Sequence, residues 1–402
     1  MPSVPLRDDA DTSVGRRPPS KTRRAVLVSL VAAAALVGTA VAVAANRTDE
    51  PSPAAAGAGT ARTDAARTND TARGAITGTV WVANEDGASL TVIDAATNSV
   101  STTVGGIEGP HNVQVAPDGR SVWAVSGHDS MAFMLDASTL ALHGSVATGR
   151  APAHVVLTPD GRRTYTTDGA DGAVTAIDTA TMKRVATIPV GPGPHGLRPS
   201  PDGKWVYVAN VAGTTLSVLD TASNRKVADV EVGKAPAQVA FSPDGRFVYA
   251  SLSGEDSVVK VEVATRRLVG KLRVGPGPIQ TFVSPNDRFL LVANQGSKER
   301  PGNTVSVIDT ATFTMARTVE TGRGAHGIVV DPSSRFAYVT NMYGNDVAVL
   351  DLKSLSVVAR VPVGQKPNGI SFSPVSVPQQ PPVKLTMPQM PGMSEGGHGG
   401  GH

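Results

Sequence analysis

Two sets of side chains in this 402-residue chain have the types and spacing for metal or acid–base chemistry. The first stands just ahead of regularly spaced prolines: Pro117, Pro159, Pro201, Pro243, Pro285, Pro332 and Pro374. Counting back six residues from each gives His111, Ala153, His195, Ala237, Ile279, His326 and Asn368. Counting back five adds His154, Gln238 and Gln280. Neutral imidazoles that converge on one axis can ligate a transition metal or a haem-like cofactor, or act as acid and base. The second set closes the chain: Met387, Met390 and Met393, then His398 and His402. Thioethers suit Cu(I), and imidazole suits Cu(II) or Zn(II). Copper is therefore the cofactor these ligand types suggest.

The elements that must position these residues follow from the proline spacing. The steps between the prolines are 42, 42, 42, 42, 47 and 42 residues, the long one reflecting an insertion around 297–301. Within one period, 205–245, WVYVAN is a short β-branched and aromatic run. TLSVLD and KVADVEVG alternate, and PAQVAFSP ends in the turn pair Asp244-Gly245. Four short strands in about 40–45 residues form one propeller blade. No helical period separates the strands, so a parallel sheet does not fit. The expected fold is all-β, a seven-bladed β-propeller over 79–374. No inner strand precedes residue 79, and an unpaired one ends the chain's last repeat at 367–374. The C-terminal strand should therefore close blade 1 and remove the open sheet edges.

The wording of the repeat resembles a known family. VWVAN at 80–84, VYVAN at 206–210, AYVTN at 337–341, the SPDG turns and the IDTAT segments at 177–181 and 308–312 are similar to YVTN-type β-propeller repeats. The resemblance spans about 80–374. It implies the propeller fold. It leaves function open, because the family mixes surface proteins, lactonase-like enzymes and haem-associated propellers, and a fold hosts many functions.

Outside the ring, composition divides the chain further. Residues 1–24 form a basic segment with Arg16, Arg17, Lys21, Arg23 and Arg24. Residues 25–45 are an unbroken apolar run, long enough for a transmembrane signal anchor or an extended signal peptide. The positive charge ahead of it keeps the N-terminus inside, so the propeller is expected outside the cytoplasm, anchored to the membrane or secreted. Residues 46–78, rich in Ala, Thr, Gly and Arg, read as a disordered linker, and 375–402 as a disordered Pro-, Met- and His-rich tail. Both chain ends are expected to leave the ring from the face opposite the histidines. Cysteine is absent, which excludes disulfides, thiolate metal sites and cysteine nucleophiles. The net charge of +3, with no basic stripe among aromatics, gives no footprint for nucleic acid.

No Ser/His/Asp signature, phosphate loop or close carboxylate pair stands out. The functional expectation is therefore a monomeric, non-catalytic binding ring. It should present His111, His154, His195, Gln238, Gln280, His326 and Asn368 to a small-molecule or protein ligand on its upper face. Three histidines spread round a sevenfold ring are expected to stand too far apart for one ion. His154, offset by one residue, should face differently from the others. Metal is accordingly expected in the tail. The competing expectation is a metal-dependent lactonase-like hydrolase or a cofactor-bearing redox propeller built on the channel-mouth histidines. The acids Asp94, Asp136, Asp178, Asp220, Glu262, Asp309 and Asp351 recur in every blade and are expected to cap turns.

Overall fold

The computed structural model describes residues 76–386. The apolar run 25–45, the rest of the N-terminal segment to 75, and the ligand candidates Met387, Met390, Met393, His398 and His402 lie outside the described residues. Among the described residues no helix is long and apolar enough to cross a membrane.

Seven antiparallel sheets follow one another along the chain. Blade 2 shows the plan: Pro110–Val115 is innermost, then Ser121–Ser126, Met131–Asp136 and Leu142–Ala147. The second strands are buried on both faces, because a blade is sandwiched between two others. Most are apolar, as in WVYVAN at Trp205–Asn210, whereas Arg163–Asp168 of blade 3 reads RTYTTD. Trp81, Trp123, Tyr165, Tyr207, Tyr249 and Tyr338 share one register and are essentially inaccessible. They fill the space between blades; Tyr165 also donates its hydroxyl to Asn224 Oδ1 of the next blade at 2.9 Å. The recurring acids do cap turns. Asp94 Oδ1 accepts the N–H groups of Ala96 and Thr97, and Asp351 Oδ1 those of Lys353 and Ser354.

Closure is as the repeat requires. Pro367–Ser373 pairs with Thr79–Asn84, with Ser373 opposite Thr79. Val80, Val82 and Ile370 of blade 1 pack with Tyr338, Val347 and Val349 of blade 7 in one buried cluster. The seam is thus a core interface, where each fully buried aliphatic side chain contributes roughly 1.5–3 kcal/mol. The insertion near 297–301 lengthens two strands of blade 6, Phe289–Gly296 and Pro301–Asp309, into a taller hairpin.

The first part of the tail departs from expectation. Residues 375–386, read as disordered, bind along the outer edge of blade 1. Val377 and Leu385 are buried in its cluster with blade 2. Gln380 N–H donates to Ser101 O at 3.0 Å, and Thr102 Oγ1 donates to Pro381 O at 3.0 Å. Val383–Lys384 pairs in parallel with Ser99–Gly105 as a fifth strand. The prolines here do not block pairing, because an outermost strand offers one edge to solvent and needs few donors. The strand also covers an edge that the other blades leave bare. Its direction corrects the expected exit of the C-terminus. Gly105 is opposite Ser89, Ser89 opposite Asn84, and Asn84 opposite Pro367, where the closing inner strand begins. Lys384 sits beside Gly105. The chain therefore passes 386 on the histidine side of the ring, and only its N-terminal side leaves from the opposite face.

Candidate functional site: the upper mouth of the channel

Each inner strand starts with a register shift against its neighbour. In blade 2 it falls between Pro110 and Asn112, in blade 3 between Pro152 and Val155, and in blade 4 between Pro194 and Leu197. A bulge breaks the strict alternation of side chains and re-aims the residues at it. That is why positions six and five before the proline both reach the channel. Hydroxyls on alternate second strands fix these openings. Thr167 Oγ1 accepts His154 N–H at 3.0 Å and donates to His195 O at 2.6 Å. Thr340 Oγ1 accepts Gly327 N–H and donates to Asn368 O at 2.9 Å. Glycine follows His195 and His326 because the next blade presses in. A Cβ at Gly196 would lie 2.3 Å from Gln238 Oε1, and one at Gly327 would lie 2.3 Å from Asn368 O.

The result overturns the expectation that the histidines are too widely spaced. His111 Nε2 and His195 Nε2 are 3.3 Å apart, across the channel from blade 2 to blade 4. His154 joins them rather than facing away: its ring centroid is 4.8 Å from that of His195 and 5.6 Å from that of His111. One ring nitrogen from each of His111, His154 and His195 falls within 4.8 Å of the others. His326 is the outlying fourth, 6.3 Å from His111 by ring centroid. Gln238 and Gln280 hold the opposite wall. Gln238 Nε2 donates to Gln280 Oε1 at 2.6 Å and lies 3.4 Å from His154 Nδ1.

A carboxylate stands behind His111. Glu85 Oε2 is 3.3 Å from His111 Nδ1 and accepts from Asn368 Nδ2 at 2.6 Å, and Asn368 Nδ2 is 2.9 Å from the same His111 Nδ1. Lys366 Nζ holds Glu85 Oε1 at 2.8 Å. Burial pushes Glu85 up, but the hydrogen bonds and charges of His111 and Lys366 outweigh it and keep the carboxyl well below the usual carboxylate range. Burial drives the other imidazoles the opposite way. His195 is lowered to about 4 by burial and then by the charge of His111, against its bond to Ala237 O and the charge of Glu85. His326 is lowered to about 3, by burial first and then by His111 and His195. His154 lies well below the ordinary value, first through burial and then through its histidine neighbours and Arg198. These three are neutral near pH 7, the form that ligates a metal.

The donor set fits a metal ion. His195 Nδ1 donates to Ala237 O at 2.9 Å, which leaves the lone pair of Nε2 facing the channel. Glu85 Oε2 can accept a hydrogen bond from His111 Nδ1–H, the tautomer that leaves the Nε2 lone pair free in the same way. A second ring nitrogen held by a carboxylate or carbonyl is the usual support of a metal-bound histidine. Two nitrogens each about 2.0–2.1 Å from one tetrahedral ion are roughly 3.3–3.4 Å apart, the separation seen here. His154 Nε2 is buried without a hydrogen-bond partner, which is unusual for native polar atoms. Without metal, the same 3.3 Å contact is satisfied by one proton, donated from His111 Nε2 to His195 Nε2.

Sequence reading reached all seven channel residues but not what supports them. Glu85 stands directly after the strand Thr79–Asn84. Its signal is closure: it follows the second strand of the blade whose inner strand carries Asn368. Thr167 and Thr340 stand where blades 1, 4 and 6 have Ala83, Ala209 and Ala293. A residue further down the channel, Arg198, was overlooked. Three residues before the seven prolines stand Gln114, Val156, Arg198, Ala240, Phe282, Val329 and Ser371, and Arg198 is the one charge among them.

Fold and site together define a seven-bladed propeller with an imidazole-lined channel. The profile of the YNCE-like beta-propeller family matches residues 121–377, and the chain belongs to that family. No curated protein matches it. Among solved structures it is similar to Kuenenia stuttgartiensis hydrazine synthase, at 25% identity and TM-score 0.61 over 66% of this chain and 90% of that one. It is also similar to a putative 6-phosphogluconolactonase from Bacteroides fragilis (16%, TM-score 0.64, 74% and 98%). The dihydro-heme d1 dehydrogenase NirN in complex with DHE matches at 16%, TM-score 0.54, over 73% and 74%. The last two likenesses are of fold alone.

Proposed function

We propose that the chain is an exported propeller that binds a transition-metal ion at the upper mouth of its channel. His111, His154 and His195 are the ligands, and Glu85, Asn368 and Ala237 O orient them. The observation that carries this reading is the 3.3 Å approach of two Nε2 atoms whose opposite nitrogens are both held by hydrogen-bond partners. An imidazole set suits Cu(II) or Zn(II). The tail adds softer ligands, Met387, Met390 and Met393 with His398 and His402, suited to Cu(I). The tail starts on the upper side, one blade's width of about four strand spacings of 4.8 Å from the axis. Sixteen residues, at up to about 3.4 Å each, reach across that distance. The apolar run 25–45 and its basic flank support export, with the monomeric ring tethered to the membrane or released outside it.

A second reading has its own support. A three-histidine set leaves a coordination position for water or substrate, the pattern of catalytic rather than structural zinc. A metal there would activate that water or polarise a carbonyl, as the lactonase-like and redox alternatives require.

The test compares the full chain, a His111→Ala/His195→Ala variant and a variant with the five tail ligands replaced by Ala. Titrated with Cu(II) and Zn(II), the first and third should bind one ion per chain at the channel, and the second should lose that ion. Binding by the second variant equal to wild type would return the site to the tail.

A further inference from the structure

Below the histidines the channel changes character. Gln114 and Arg198 reach each other from blades 2 and 4, with Arg198 Nη1 donating to Gln114 Oε1 at 2.9 Å. Under them lies an open-mouthed cavity of about 570 Å³, bounded above by the residues three before the marker prolines and below by those prolines. None of the four histidines lines it. Its walls mix polar atoms with apolar side chains, among them Val156, Leu157, Phe241, Phe282, Val330 and Phe372. The volume is within the range of small-molecule sites, which typically pair apolar walls with a few convergent polar groups.

Those groups are here. Arg198 forms no ion pair with a carboxylate among the described residues, and one amide oxygen does not neutralise a guanidinium with five N–H donors. Burial alone lowers it, to about 10. Arg198 is half-buried, and a partly desolvated cation without a counter-charge favours an anionic ligand that supplies one. Ser371 adjoins it through the same amide. Its Oγ accepts Val115 N–H at 2.9 Å and the longer Gln114 Nε2 contact at 3.5 Å, so its own proton is available to donate. We propose that this lower vestibule binds an organic carboxylate with an apolar body, its head group on Arg198 and Ser371 and its hydrocarbon against the phenylalanine and valine walls. One cation matches one carboxylate, and the planar fork takes both oxygens. A bare inorganic oxyanion carries more charge and leaves the apolar walls wet.

The experiment uses the full chain and three probes: sodium octanoate, sodium phosphate and octan-1-ol, by calorimetric titration and thermal melting. Octanoate should bind one per chain and raise the melting temperature. Phosphate and octanol should do neither at the same concentrations. In Arg198→Met, which keeps an unbranched apolar stem and removes the guanidinium, octanoate affinity should fall at least about tenfold, the loss expected for hydrogen bonds to a charge. The ligand-free variant should melt higher than wild type, because its uncompensated charge is gone. Ser371→Ala should weaken octanoate binding by a smaller factor. Octanoate binding undiminished in Arg198→Met, phosphate binding as tight as octanoate binding, or no octanoate binding to the wild type would each overturn the proposal. If Arg198→Met fails to fold, Ser371→Ala decides it, since unchanged affinity there contradicts the head-group placement.

Discussion

The two levels of the channel come from the same seven strands, three residues apart, and hold opposite chemistry. At the upper level His111, His154, His195 and His326 converge with Glu85 behind them. At the lower level a single guanidinium, Arg198, meets walls that mix polar atoms with apolar side chains. Both levels are departures from the repeat. The repeated residues, the interblade aromatics and the turn-capping acids, build a scaffold that recurs from blade to blade, with Leu291 in place of the aromatic in blade 6. Asymmetry at a few inner positions then gives each end of one pore a distinct ligand preference. The levels are also electrically linked. After burial and the neighbouring histidines, the charge of Arg198 is among the causes that keep His154 neutral.

Substitutions can sharpen this division. The largest effect should come from Glu85→Gln. It keeps the shape but removes the charge behind His111, so metal affinity should fall about 10–100-fold, the usual result of losing a carboxylate that orients a ligand histidine. Isothermal titration with Zn(II) measures it, and octanoate affinity should stay as in wild type. A result that leaves metal affinity intact would mean that the carboxylate does not orient the ring.

A smaller effect should appear in stability against pH. His195 has a folded value of about 4 against an ordinary 6.5, so the unfolded chain binds more protons as pH falls. Stability therefore declines as pH drops from about 6.5 towards 4 and is fully present above that window. His195→Gln should flatten this slope in melting curves taken between pH 7 and 4.5. Arg198→Met should flatten the slope far less, because Arg198 keeps its charge throughout that range and acts only by lowering His154, after burial and the neighbouring histidines.

The ring itself was legible in the sequence because a fixed proline period, β-strand alternation and an unpaired final strand admit few other folds. The channel residues were legible because the same period numbers them. Their convergence was not, since it depends on how narrow the channel is and on bulges that set aside period-two alternation at the strand starts. Hence His154 was misplaced and His111 and His195 were judged too far apart. Residues 375–386 misled for another reason. A Pro-rich segment with isolated Val377, Val383 and Leu385 has no readable strand pattern, and its structure comes from the exposed edge of blade 1. Arg198 could have been found by comparing the seven equivalent inner positions for the one that carries a charge.

The most direct test is to locate the ion. Crystals of the full chain grown or soaked with Zn(II) should show an anomalous peak about 2.0–2.1 Å from Nε2 of both His111 and His195, with His154 turned towards it. A channel mouth without such a peak, in crystals whose protein binds zinc in solution, would contradict the account and leave the histidines as a proton-linked structural cluster.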